Sequence, residues 1–147
     1  MPNELPGETY LKVQQMCQEG DVLADQALLG EAVSKYEEAL GLLPMPISQW
    51  EASTWILTAI GDACFHMKDY QKAVRSLLDA MNCPGALGNP FIHLRLGQVQ
   101  LELGNDILAK DELARAYMGG GKEVFHEEDP KYFELVKTTL RKPPSGW

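Results

Sequence analysis

Trp55 to Asn82 reads WILTAIGDACFHMKDYQKAVRSLLDAMN, two short helical patterns joined by a polar turn. Ile56, Leu57, Ile60, Cys64 and Met67 recur at the three-and-four spacing that puts them on one helix face. Gly61 sits inside that first pattern, where glycine costs ~1 kcal/mol against alanine. A sequence keeps such a glycine when a neighbouring element must come close. In the second pattern Ala73, Leu77 and Ala80 alternate small, large and small, so that another helix can nestle between them. Asp69 precedes this pattern as a cap, its carboxylate placed to accept from first-turn amides.

The same grammar occurs twice more. Upstream, Gly20, Ala32, Tyr36, Ala39 and Pro44 fall in matching places; downstream, Leu96, Gly97, Gly104, Ala109, Leu113 and Ala116 do so. With Gly61, the Asp69-Tyr70 turn, Ala73, Leu77, Ala80 and Pro84, these residues resemble the tetratricopeptide repeat, whose period is about 34 residues. The glycines lie 61 − 20 = 41 and 97 − 61 = 36 residues apart, so the linkers here are longer than the minimal repeat. The resemblance implies an all-α fold: a right-handed helical solenoid of three helix pairs plus a C-terminal capping helix. The expected division is a single domain, 1–147, with repeats at about 9–44, 48–84 and 89–121 and the cap at about 129–142. Such a scaffold implies binding in general and no partner in particular.

A chain of 147 residues is long enough to bury one continuous core. No apolar run reaches the length of a membrane span, and MPNELPGETY carries no basic patch followed by an apolar stretch. Cys17, Cys64 and Cys83 make an odd count, two of them among apolar neighbours, which fits reduced thiols in a cytoplasmic protein. The net charge of −8 is uneven: residues 1–53 hold nine acids and two lysines, 54–118 seven acids and six bases, and the tail five of each. An acidic first third disfavours nucleic acid and favours a cationic partner, though acidity also serves solubility alone.

Residues 1–8 read as a leader interrupted by Pro2, Pro6 and Gly7. A first helix is expected from about Thr9 to Gln26, with Tyr10, Val13, Cys17 and Leu23 as contacts, and a second from about Glu31 to Leu43, stopped by Pro44-Met45-Pro46. Ser48-Gln49-Trp50-Glu51 reads as a capping box, which starts the next helix near Gln49 and leaves Trp50 exposed on it. Asn89-Pro90 and Asp129-Pro130 are cap-and-proline starts. They open helices of about 90–103 and 130–141; the helix of about 106–118 between them ends at Gly119-Gly120-Gly121. Lys122 to Glu128 reads as a helical turn or a loop, and Ser145-Gly146-Trp147 as frayed.

Candidate chemistry is sparse. His66, His93 and His126 form no ligand pair, and His126-Glu127-Glu128-Asp129 reads as a solvated acidic turn, so no metal is expected. Cys64 and His66 are two apart on a helix and point apart. Cys17 and His66 have no orienting third group. Gly119-Gly120-Gly121-Lys122 lacks the preceding strand and following Ser or Thr of a phosphate loop. Neither catalytic residue nor cofactor is expected.

In tetratricopeptide proteins the first helix of each pair lines a concave wall. Matched residue by residue, the resemblance puts Gln14, Cys17, Gln18, Asp21 and Asp25 there from the first repeat. The second supplies Trp55, Thr58, Asp62, Phe65 and His66, and the third Phe91, Leu94, Arg95, Gln98 and Glu102. The wall would be aromatic in its centre and acidic toward one end, unless Trp55, Phe65 and Phe91 pack between hairpins as core. Repeats that grip the acidic C-terminal peptide of heat-shock chaperones line this wall with Lys, Arg and Asn. Here Arg95 stands alone among bases, so a carboxylate ligand is repelled.

The expectation is a non-catalytic module binding a protein partner through a basic or apolar segment, with no nucleic acid and no membrane involved. NPFIHLRLGQ and EEDPKYFELVKTTL are similar to small bacterial repeat proteins found beside secreted toxins, which implies a toxin-neutralising immunity protein. The chain also resembles the type III secretion chaperones that bind translocators, apart from its long linkers, and a secreted client is then the partner. An enzyme acting on a cationic substrate and a protein that self-associates through the groove or Trp50 are the rivals from other classes.

Overall fold

The computed structural model describes residues 4–147, so Pro2 and the start of the expected leader lie outside the described residues. Those residues form seven α-helices and two 3-10 turns with no strand, and the all-α expectation holds. They make two compact units, one ending at Leu87 and one running from Gly88 to Trp147. The first contains α1 (Gly7–Asp25), α2 (Leu29–Gly41), a 3-10 turn (Ile47–Gln49), α3 (Glu51–His66) and α4 (Tyr70–Met81). The second contains α5 (Pro90–Glu102), α6 (Asp106–Gly120), a 3-10 turn (Lys122–Phe125) and α7 (Pro130–Thr139). No helix of the described residues is long and apolar enough to cross a membrane.

Each hairpin, α1–α2, α3–α4 and α5–α6, is built the same way. The glycine of the first helix lies against a large residue of the second: Gly20 against Tyr36, Gly61 against Leu77 and Gly97 against Leu113, sixteen positions on in every case. A Cβ on any of the three would sit 2.5–2.6 Å from that side chain, well inside contact distance. Alanines flank the large residue on both sides, Ala32 and Ala39, Ala73 and Ala80, Ala109 and Ala116, and all six are wholly buried. The glycine thus makes the notch, the large residue fills it, and the alanines let the backbones close.

The turns also share one device. Ala27, Lys68 and Gly104 take positive φ values of 63°, 63° and 84°. The next amide reaches back five residues, from Leu28 to Leu23, Asp69 to Cys64 and Asn105 to Gln100, at 2.8–2.9 Å. This ties off carbonyls that would otherwise end the helix unpaired. Two of the three turns use an L-residue in the left-handed region, which the unbroken run Ala27-Leu28-Leu29 conceals in the sequence.

Three expected caps form. Asp69 accepts from the Lys72 amide at 3.3 Å, Asn89 from Phe91 and Ile92 at 3.0 and 3.3 Å, and Asp129 from Lys131 at 3.0 Å. The capping box at Ser48 does not. Residues 47–49 curl into the 3-10 turn, α3 starts at Glu51, and no side chain caps it. The loop is tied instead from within: Ser53 Oγ donates to the Ile47 carbonyl at 2.5 Å, and Trp50 Nε1 to that of Pro44 at 2.7 Å. Trp50, expected exposed, is therefore buried.

In the second unit α6 runs on through Gly119 and Gly120 and stops at Gly121, φ 68°. Gly120 is needed for a close approach, since a Cβ there would meet Val124 and Pro90. α7 packs on α6 as the expected covering helix. Trp147 does not fray: its ring meets Tyr117 edge-on at 5.5 Å and Phe133 at 6.0 Å, extending a cluster that includes Phe125.

Candidate functional site

The residues carried over from the repeat pattern fall into three settings. In the first unit Asp21 and Asp25 of α1 and Asp62 of α3 line one cleft of about 400 Å³ with Tyr36, Leu29, Ala24, Ala59 and Ala63. No lysine or arginine lines it. Tyr36 Oη donates to Asp21 Oδ1 at 2.6 Å, which fixes that carboxylate on the cleft wall. Burial first, then the hydrogen bond to Asp21, pushes the Tyr36 phenol well above its ordinary range. The nearby Cys17 thiol is pushed up to about 11 by burial and by the Asp21 charge, so it stays protonated at neutral pH and is a weak nucleophile. His66 Nε2 lies 3.3 Å from Asp62 Oδ1, and Phe65 packs its ring on His66 and Tyr70. The spacing of α1 and α3 therefore does bring three acids from two helices together.

Trp55 occupies a second cleft of the same unit, about 450 Å³, lined by Glu4, Leu5, Tyr10, Trp50, Glu51 and Ala52. Trp55 and Tyr10 are each 41 % exposed, so Trp55 is a surface ring and not core. Between the clefts, the partly buried Gln14 donates to Tyr10 Oη at 3.1 Å, and Thr58 Oγ1 donates to the Thr54 carbonyl at 2.6 Å. Gln18 is set apart: it borders a recess formed by Gln15, Glu19, Val22, Leu23 and Lys35.

The second unit differs from the expected wall. Phe91 is exposed, with the Arg95 guanidinium 4.8 Å from its ring centre. Leu94, Arg95 and Gln98, expected to face a partner, are only 2 %, 5 % and 0 % exposed. Glu128 turns inward and takes them over, accepting from Arg95 Nη1 and from Gln98 Nε2 at 2.6 Å each, while Arg95 Nη1 also donates to Gln98 Oε1 at 2.7 Å. Glu102 accepts from Tyr132 Oη of α7 at 2.6 Å and pairs with Lys131 at the same distance. The chain's own C-terminal segment thus engages the polar face of α5. His93 is also buried: its Nε2 accepts from the Gly88 amide at 2.9 Å, which leaves Nδ1 to donate to Glu112 at 2.6 Å.

Tyr10, Trp50, Glu51 and Tyr36 are cleft residues outside the expected wall, Tyr36 being matched to the repeat only as a packing residue. Tyr10 carries a signal, since 10, 14, 21 and 25 recur at helical spacing on one face of α1. Among the described residues no group of three His, Cys, Asp or Glu side chains is placed to hold a metal ion.

No family model and no curated protein matches the chain. Solved structures do. The C-terminal TPR-containing domain of a Plasmodium falciparum protein described as FK506-binding is 16% identical, with a TM-score of 0.71 over 93% of this chain and 91% of that one. Two crystal structures of MamA match with TM-scores of 0.63 over 84% of this chain, at 17% and 16% identity, covering 75% and 70% of their own lengths. The fold is that of a tetratricopeptide solenoid. At these identities the likeness carries the architecture alone.

Proposed function

We propose that the chain is a non-catalytic module that holds a cationic segment of another protein in the acidic cleft of its first unit. The observation that carries this reading is the meeting of Asp21, Asp25 and Asp62 around one cleft with no base among its lining residues. Electrostatics around it agree: residues 1–87 hold 12 acids against 5 bases, and residues 88–147 hold 9 against 8. Such a field steers a cationic partner and rejects an acidic one. The engagement of Arg95, Gln98 and Glu102 by Glu128, Tyr132 and Lys131 narrows the binding surface from all three repeats to the first two. The thiols of Cys17, Cys64 and Cys83 are all raised by burial, which argues against thiol chemistry.

The role that this chemistry fits best is neutralisation of a cationic toxin by a cytoplasmic immunity protein. The test uses immobilised protein and lysate of the native host at low and high salt, with Asp25→Asn/Asp62→Asn as the matched variant. Asp21 is left intact because it supports Tyr36. The reading requires a salt-sensitive partner that the variant loses, and co-expression of the chain must restore growth to cells producing that partner. A harmless secreted protein in its place transfers the role to a chaperone; a partner retained equally by the variant overturns the cleft.

A further inference from the structure

We infer that the aromatic cleft around Trp55 is a second cation site on the same surface, shaped for an arginine side chain, and that the two clefts read a pair of arginines at fixed spacing. This rests on the reading above and adds the partner's chemistry to it. The cleft is lined by three aromatic residues, Tyr10, Trp55 and the mostly buried Trp50, and by two acids, Glu4 and Glu51. Rings attract a cation through their negative faces, and a carboxylate beside them selects one that can also donate hydrogen bonds. A guanidinium meets both demands, being flat enough to stack and forked enough to pair; an ammonium is more strongly hydrated and does neither as well. Trp50 Nε1 is held by the Pro44 carbonyl, so one wall is fixed before any ligand arrives.

The spacing follows from the helices. Tyr10 and Trp55 share the aromatic cleft, while Asp21 and Asp62 share the acidic one, so α1 and α3 run side by side in the same direction. Eleven residues of α1 and seven of α3 separate the clefts, about 10–16 Å at the helical rise. An extended peptide covers that in about three to five residues. The partner segment therefore carries arginines about four positions apart.

A ten-residue Ser/Gly peptide with arginines at its third and seventh positions tests this by calorimetry at physiological salt. Companion peptides carry citrulline, the neutral isostere, at either arginine, or lysine at both. The expected result is binding that falls about tenfold for either citrulline peptide, and likewise for Trp55→Leu or Glu51→Gln. Trp55→Leu should cost nothing further against one of the two citrulline peptides, because that ligand already lacks the group that Trp55 stacks on. Circular dichroism checks that the variants fold. If Trp55→Leu leaves the two-arginine peptide unaffected while Asp25→Asn/Asp62→Asn weakens it, the aromatic site is wrong and the acidic cleft stands. If only the aspartate changes are silent, the acidic cleft is wrong. Equal affinity for the lysine peptide overturns the selection of arginine, and no binding by any peptide overturns both.

Discussion

The glycine notch makes a prediction that can be worked through in numbers. In Gly61→Ala the new Cβ would lie 2.5 Å from Leu77 Cγ and 2.7 Å from Cδ2, against an ordinary contact of about 3.5–4.0 Å. Leu77 is wholly buried between Ala73 and Ala80, so it cannot swing clear, and the hairpin must open by roughly 1 Å. Overpacking of this kind costs ~1–3 kcal/mol, offset by the ~1 kcal/mol that alanine gains in a helix. With contacts this short the net should be about 2 kcal/mol of destabilisation. Leu77→Ala alone should cost about 3 kcal/mol through its cavity. In the double variant the new methyl group enters that cavity and the helix gain is recovered, so the total should stay near 2 kcal/mol rather than reach 5. Urea denaturation followed by circular dichroism measures all four corners of the cycle. A coupling smaller than about 0.5 kcal/mol, or a Gly61→Ala that stabilises the wild-type background, would refute the notch as the reason for the glycine.

Four further expectations concern other elements. Ala27→Gly relieves a positive φ at the first turn and should raise stability by up to ~1 kcal/mol, read as a shift in urea midpoint. Glu128→Ala removes the carboxylate from buried Arg95 and Gln98 and should cost ~3 kcal/mol in the second unit, while Glu128→Gln costs less. The Cys17 thiol binds its proton more tightly in the folded chain, so its contribution is intact below pH 9 and disappears as pH climbs to about 11. The loss is at most ~2.7 kcal/mol for a change of this size, and partial exposure reduces the expectation to ~1 kcal/mol. Denaturation midpoints across that interval should fall less steeply for Cys17→Ala than for the wild type. Asn89→Ala deprives two first-turn amides of their acceptor and should cost ~1 kcal/mol in the same assay.

Features governed by residues close in sequence were the readable ones. Asp69, Asn89 and Asp129 cap the helices that follow them because a cap needs only its own first turn. The glycine notches were readable from their recurrence, since a helix-interior glycine is costly unless something fills the space beside it. The failures share a different cause. Ser48 and Glu51 have the letters of a capping box, but Trp50 and Ser53 bond back to Pro44 and Ile47 and bend the chain into a 3-10 turn. Arg95 and Gln98 are polar letters on a helix, which periodicity assigns to a surface. They are buried because Glu128, thirty positions or more away, satisfies them, and no local pattern announces such a partner. Of the candidate site, the three aspartates came from matching the chain to the repeat pattern, and that they line one cleft appears only in the fold. The pairing of Tyr10 with Trp55 needed α1 and α3 to be laid side by side.

The wedge of each hairpin is supplied by that hairpin alone, always at the same remove from its notch. Such a part carries its own fastening inside the hairpin, but α2 also lies along α3 and Glu37 pairs with Lys72. A graft that exchanges Gly7 to Leu43 must therefore bring an outer flank of its second helix that seats on α3, and only then can it change what is recognised.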